Sequence, residues 1–260
     1  MTAVTGSLAA RQLRFWLTDY RRTWRGSIFS SVLSPVLFLS AMGLGLGTLV
    51  DAHSKARLGV SYLEFLAPGL LAATAMQTAV GECTYPVYGS VKWNRTYQAA
   101  AASPLRPADI FHGHVLFCTL RLVMNCTIFM VVAALFGAVR SPGALLALPV
   151  AVLTGLAFAT PIEAWAVTRT RDSSFAMIYR FGMIPMFLFS GTFFPVSQLP
   201  SWLQPVAYLT PLWHGVVLCR ALSLGVATAG TAVGHIGYLA ALAIAGIVAG
   251  NRAYRRRLYV

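Results

Sequence analysis

Residues Ser27 to Val50 form a run of 24 residues without a charge, and this run limits the chain more than any other feature. At about 1.5 Å of rise per residue, a helix of that length crosses the roughly 30 Å hydrocarbon core of a bilayer with some tilt. Comparable stretches recur at about Leu63–Tyr88, which is interrupted by Pro68, Glu82 and Pro86, and at Phe111–Val139, Gly143–Val167, Phe175–Phe194 and about Ala229–Ala249. Composition points the same way. Of 260 residues 57% are apolar and 10% charged, against roughly 25% charged in soluble chains. Polar groups are too few to cover the surface of a core this size, so lipid must do so. The expectation is an all-α integral membrane protein with six transmembrane helices.

The net charge of +13 comes from 20 basic residues, 18 of them Arg, against 7 acidic ones. A nucleic-acid binder would gather its arginines among aromatics on a soluble face. Here they fall between the spans. With both termini inside, 14 basic residues lie in inner segments and four outside (Lys55, Arg57, Arg140 and Arg220), while Arg121 and Arg180 lie within spans. This asymmetry puts both termini in the cytoplasm. The first 25 residues carry five arginines and lack the apolar core and cleavage site of a secretory signal. Leu13, Trp16, Leu17, Tyr20 and Trp24 share one helical face there, and Arg11, Arg14, Arg21, Arg22 and Arg25 the other. Residues 1–26 therefore read as an interfacial amphipathic helix facing anionic lipid, or as a helix packed on a partner. Residues 27–260 make the transmembrane domain.

Between the fifth and sixth spans, residues 195–224 are apolar and aromatic but cut by Pro195, Pro200, Pro205 and Pro211, with Trp202, Tyr208 and Trp213 among them. The pieces are too short to span. Half-helices re-entering one leaflet fit, packed inside protein because their freed backbone groups need partners. Trp202, Trp213 and Tyr208 either meet a substrate at the outer face or anchor the aromatic belt.

Four charges, Glu82, Arg121, Glu163 and Arg180, fall in the inner third of four spans. A lone charge there costs on the order of 3 kcal/mol, so pairing across the bundle is expected. Such a network is either a structural staple near the inner mouth or a device that shifts between conformations. Enzymatic chemistry is absent by motif. Neither Lys55 nor Lys92 stands in a phosphate-binding GxxxxGK[ST] frame, and there is no GxSxG elbow or HExxH pair. Gly43 and Gly47 fit close helix packing better than a dinucleotide loop. Cys83, Cys118, Cys126 and Cys219 stand singly in apolar stretches and read as buried hydrophobes. His112 and His114 lie about 200° apart on a helix, so they cannot chelate one metal from one face. No metal site is expected.

The polar segment 89–110 contains Arg95-Thr96-Tyr97, then Ser103-Pro104-Leu105-Arg106-Pro107-Ala108-Asp109. A short helix ending before Pro104 fits, and Pro107 with Asp109 suits the first turn of the next helix. Other ordered runs are Pro35 through Gly43-Leu44-Gly45-Leu46-Gly47, Tyr62-Leu63-Glu64-Phe65-Leu66-Ala67-Pro68-Gly69, Phe193-Phe194-Pro195-Val196-Ser197-Gln198-Leu199-Pro200, and Pro211-Leu212-Trp213-His214. Together these runs resemble the ABC-2 class of ABC exporter permeases, most closely the branch that exports nodulation lipo-oligosaccharides. The resemblance covers nearly the whole chain. It implies that the 89–110 segment forms a coupling helix docking on an ATPase subunit, with Arg95, Tyr97, Ser103, Pro104 and Arg106 as coupling residues. It also implies re-entrant helices near the outer face, a homodimer of permeases above two ATPase subunits, ATP and Mg²⁺ on the partner, and no cofactor on this chain. Its setting would be the bacterial inner membrane and its substrate lipid-linked, glycolipid-like or drug-like. One departure stands out: these permeases usually follow the first Gly of span three with an acid, where this chain has Gly113-His114. An ion-gradient-driven secondary transporter is the alternative, though its midplane acids and internal repeat are not visible here.

Overall fold

The apolar runs fold as long helices in the computed structural model, which describes residues 3–51 and 59–259. His53, Lys55 and Arg57 lie outside them. Helix α1 (Ala3–Phe38) passes Gly26 without interruption and continues as π-helical backbone over Leu39–Leu46, with helix again to Asp51. The expected junction between an interfacial helix and the first span is therefore not a break. No proline precedes Pro35 in this helix, and a single glycine costs a helix only about 1 kcal/mol. The apolar face of its first half packs on α5 (Pro107–Leu135) of the same chain, burying Ala9, Gln12 and Trp16, whereas Leu17 and Trp24 stay exposed.

Helix α2 (Tyr62–Cys83) starts at a capping box. Ser61 Oγ accepts from the Glu64 amide, and Glu64 Oε2 accepts from the Ser61 amide at 3.0 Å, satisfying two orphan donors of the first turn. Thr84, with φ −98° and ψ −91°, breaks the helix, and Pro86 sits in the first turn of α3 (Tyr85–Lys92). A short α4 (Thr96–Ala101) follows, then α5, in whose first turn Asp109 Oδ2 accepts from the Arg106 amide at 3.0 Å. Next come α6 (Ala144–Ala166), α7 (Ser173–Phe189, π-helical over Ile178–Met183), α8 (Gln204–Tyr208), α9 (Pro211–Ser223) and α10 (Ala229–Leu258).

Among the described residues, five helices are long and apolar enough to cross a membrane, and Ser173–Phe189 is shorter. The chain is a multi-pass membrane protein. The expected fifth span to Phe194 stops early because the backbone leaves the helix at Ser190 and turns at Gly191, whose φ of +82° suits glycine.

Helix α6 lies at the centre, against α2, α5, α9 and α10. Its crossing with α10 is close: a Cβ on Gly246 would sit 2.6 Å from the Pro161 backbone nitrogen. Gly43 and Gly47 lie likewise against Leu63 and Tyr62 of α2. The interior has two main parts. An apolar core runs through α2, α5, α6 and α9, and an aromatic cluster of Trp16, Tyr88, Tyr97, Phe111, Phe117, Phe175 and Tyr254 gathers α1, α3, α4, α7 and the ends of α5 and α10.

Candidate functional site

The segment joining α2 to α5 folds as two short helices whose tips face outward. Lys92, Trp93, Asn94 and Arg95 are exposed at one turn, and Ser103, Pro104 and Arg106 at the next. Arg95 holds a left-handed backbone, with φ +51° and ψ +27°, between α3 and α4. Inward from these tips, Tyr97 is fully buried, its ring 5.7 Å from Tyr254 and 6.4 Å from Trp16. Burial first, and then the Glu163 carboxylate, push the Tyr97 phenol well above its ordinary range, so it stays neutral. Of the five residues expected to couple, four thus offer surface and Tyr97 is their anchor.

The four intramembrane charges do not form one network. Arg121 Nε donates to Glu82 Oε1 at 2.8 Å, and the guanidinium lies over the Tyr20 ring at 4.6 Å. Glu163 is fully buried elsewhere: the Tyr254 hydroxyl donates to its Oε1 at 2.8 Å, and His114 Nδ1 stands 3.1 Å from the same oxygen. Arg180 is exposed on α7 and makes no ion pair with a described residue.

Glu82 and Arg121 line a cavity of about 550 Å³ between α1, α2 and α5. One wall is polar: Ser31 donates to Asn125 Oδ1 at 2.9 Å, Asn125 Nδ2 donates to Thr78 Oγ1 at 3.0 Å, and Ser30, Ser34 and Gln77 stand beside them. Phe38, Leu70, Phe129 and Phe187 supply an apolar wall. Arg121 Nη1 is buried there without a hydrogen-bond partner among the described residues. Ser30, Ser34 and Phe38 also line an adjoining, almost wholly apolar groove of about 520 Å³ along α1 with Leu33, Leu37, Ala41 and Met42.

At the far end of α2 from this segment, the proline-cut stretch packs as short pieces. Pro195 precedes a 3-10 turn over Val196–Gln198, Pro200 leads into a turn that exposes Trp202, and Thr210 caps α9 with Pro211 in its first turn. Trp213 is half-buried against Tyr208, at 4.8 Å between rings. Arg220 ties these pieces down. Its guanidinium donates to the carbonyl oxygens of Phe65 (3.0 Å), Gly191 (2.9 Å) and Thr192 (3.3 Å) and lies 3.7 Å above the Phe65 ring.

A model of the ABC-2 type transporter family matches residues 7–224. The chain belongs to the ABC-2 transporter family. Nodulation protein J of Rhizobium leguminosarum bv. viciae is 33% identical over 250 residues, which cover 94% of this chain and 95% of that protein. Nodulation protein J of Sinorhizobium fredii is 32% identical over 236 residues, 88% of each chain. The inner membrane transport permease YadH of Escherichia coli is 20% identical over 208 residues, 80% of this chain and 79% of that one. As an ABC-2 protein, the chain is an ABC transporter permease, a membrane subunit whose partner is an ABC ATPase.

Several residues of this ABC-2 site are not apparent from spacing. Trp93 is 60% exposed beside Arg95, where a tryptophan in an apolar-flanked segment reads as an anchor. Thr78, Asn125 and Ser31 read as isolated polar residues within spans, though Thr78 lies four residues from Glu82 and Asn125 four from Arg121, each on the face of that charge. Arg220 looks like a loop charge because Pro211 hides the helix that carries it.

Proposed function

We propose that the chain is the permease subunit of an ATP-driven exporter that moves a lipid-linked, glycolipid-like or amphiphilic drug-like molecule out of the cytoplasm. Two copies would pair above two ATPase subunits in the bacterial inner membrane, with both termini cytoplasmic. ATP and Mg²⁺ would sit on the partner. Short re-entrant pieces in residues 195–224 would close the outer end. One observation carries this reading: the Glu82–Arg121 pair on the cavity wall lies two residues before the Thr84 break, from which the chain leads directly to the exposed tip at Trp93–Arg95.

The mechanism follows from that connection. Movement of an ATPase against Trp93, Arg95, Ser103, Pro104 and Arg106 tilts α3 and α4. Tyr97 passes the tilt to Trp16 on α1 and Tyr254 on α10, and Thr84 acts as the hinge to α2. Since α1, α2 and α5 form the cavity walls, the wall carrying Glu82 shifts against Arg121. The polar wall suits a hydroxylated headgroup and the adjoining apolar groove an acyl chain, which favours an amphiphile.

The test is transport into inside-out vesicles of a fluorescent acylated oligosaccharide and of a fluorescent amphiphilic drug. Uptake of either that requires ATP and is indifferent to a protonophore supports the proposal. Uptake that proceeds without nucleotide and collapses with the protonophore makes the chain a gradient-driven transporter and overturns it.

A further inference from the structure

Three helices bring a thiol, an imidazole and a carboxylate to one buried point, with a second thiol beside the first. Cys83 closes α2, His114 and Cys118 stand four residues apart on one face of α5, and Glu163 lies on α6. The Sγ atoms of Cys83 and Cys118 are 3.8 Å apart, Cys83 Sγ is 4.0 Å from Glu163 Oε2, and His114 Nδ1 is 3.1 Å from Glu163 Oε1. One ligand atom from each of Cys83, His114 and Glu163 can be chosen so that all lie within 4.8 Å of one another. All four residues have no exposed surface.

These spacings are close to those of three ligands on one tetrahedral metal ion. With Zn–S near 2.3 Å and Zn–N or Zn–O near 2.0 Å, an imidazole nitrogen lies about 3.3 Å from a carboxylate oxygen, and a thiolate lies about 3.5 Å from either. The donor set, one sulfur with one nitrogen and one oxygen, suits the same ion and leaves its fourth position open.

A second observation points to a ligand. Neither ring nitrogen of His114 has a hydrogen-bond partner among the described residues, although the ring is wholly buried. Nδ1 is near Glu163 Oε1, but the pair is not aligned as a hydrogen bond, which leaves the nitrogen lone pair free for a metal. The Tyr254 hydroxyl donates to Glu163 Oε1, as an outer-shell group orienting a ligating carboxylate would.

We propose that Cys83, His114 and Glu163 bind one zinc-type transition-metal ion within the helix bundle. Binding takes the Cys83 thiol as a thiolate and releases its proton. The ion ties the end of α2, immediately before the Thr84 break, to α5 and α6, so it fixes the root of the segment that ends in the exposed tip. The site stands on geometry alone and does not depend on which molecule the permease carries.

The test uses the full chain purified in mild detergent, with metal content measured by mass spectrometry and the stripped protein titrated with Co²⁺. The site predicts about one zinc per chain and an intense thiolate-to-cobalt charge-transfer band with tetrahedral ligand-field bands. The chain has four cysteines. A Cys118→Ser/Cys126→Ser/Cys219→Ser variant must therefore keep the band, and Cys83→Ser must lose it; His114→Gln should weaken metal affinity at least about tenfold. Should the Cys83→Ser chain fail to fold, the Cys118→Ser/Cys126→Ser/Cys219→Ser variant still decides, since its only thiol is the proposed ligand. No stoichiometric zinc and no charge-transfer band in the unaltered chain, or a band missing from Cys118→Ser/Cys126→Ser/Cys219→Ser, overturns the site.

Discussion

Arg220 donates to three carbonyl oxygens from two separate parts of the chain, Phe65 on α2 and Gly191 with Thr192 after α7, and none of these is near it in sequence. Arg220→Ala strands those acceptors in a buried setting. The expected loss is on the order of 3 kcal/mol, read as a lower melting temperature in detergent and as faster proteolysis near residue 191. Arg220→Lys, which keeps the charge and loses the planar fork, should fall between the two. The Glu82–Arg121 pair makes a prediction of another kind. Glu82→Gln and Arg121→Gln each leave one charge unpaired beside the cavity, at a cost of roughly 2 to 3 kcal/mol, whereas the double variant leaves none. Membrane yield should therefore be worse for each single variant than for the double. Equal or additive losses would mean that the pair contributes nothing beyond its members. Glu163→Gln keeps the acceptor for the Tyr254 hydroxyl, so the chain should insert and fold while transport falls. Unchanged transport would restrict Glu163 to a structural part.

At the scale of elements, the turn between α3 and α4 separates charge from backbone. Arg95 pays a left-handed conformation that costs a non-glycine residue roughly 1 to 2 kcal/mol. Arg95→Gly relieves that cost and removes the charge, so it should raise the melting temperature slightly while reducing ATPase stimulation as much as Arg95→Glu does. Retained stimulation in Arg95→Gly would show that the turn matters and the guanidinium does not. The close crossing of α6 and α10 predicts that Gly246→Leu, which drives a side chain into Thr160 and Pro161, destabilises by about 2 kcal/mol or more in a thermal melt. Such elements differ in how far the sequence revealed them. The start of α5 was legible because Pro107 and Asp109 are local signals, and so was the end of α4 before Pro104. The run of α1 through Gly26 was not, because a change from amphipathic to wholly apolar pattern looks like a boundary while the backbone needs no break there. The early end of α7 was hidden for the opposite reason: Gly191 turns the chain inside an unbroken apolar run.

For the whole molecule, hydropathy and the placement of arginines announced a multi-pass helical membrane protein, because lipid demands long uncharged helices and leaves little room for other solutions. The ordered motifs announced the family, and the match over residues 7–224 agrees. Contacts between distant helices were beyond reach. The partition of four charges into a Glu82–Arg121 pair, a buried Glu163 and an exposed Arg180 depends on the rotation of each helix about its axis, which an all-round apolar helix leaves unmarked. The same holds for His114, which acquires meaning only when Cys83 and Glu163 arrive from other helices. The central claim is that the 89–110 segment joins this permease to an ATPase, and mild-detergent purification of the tagged chain from its host tests it most directly. We expect a protein with a Walker-A loop to come with the chain together with nucleotide turnover, and both to be lost in the Arg95→Glu/Arg106→Glu variant while the permease itself is recovered intact. An ATPase that remains bound and equally active in that variant would contradict the account.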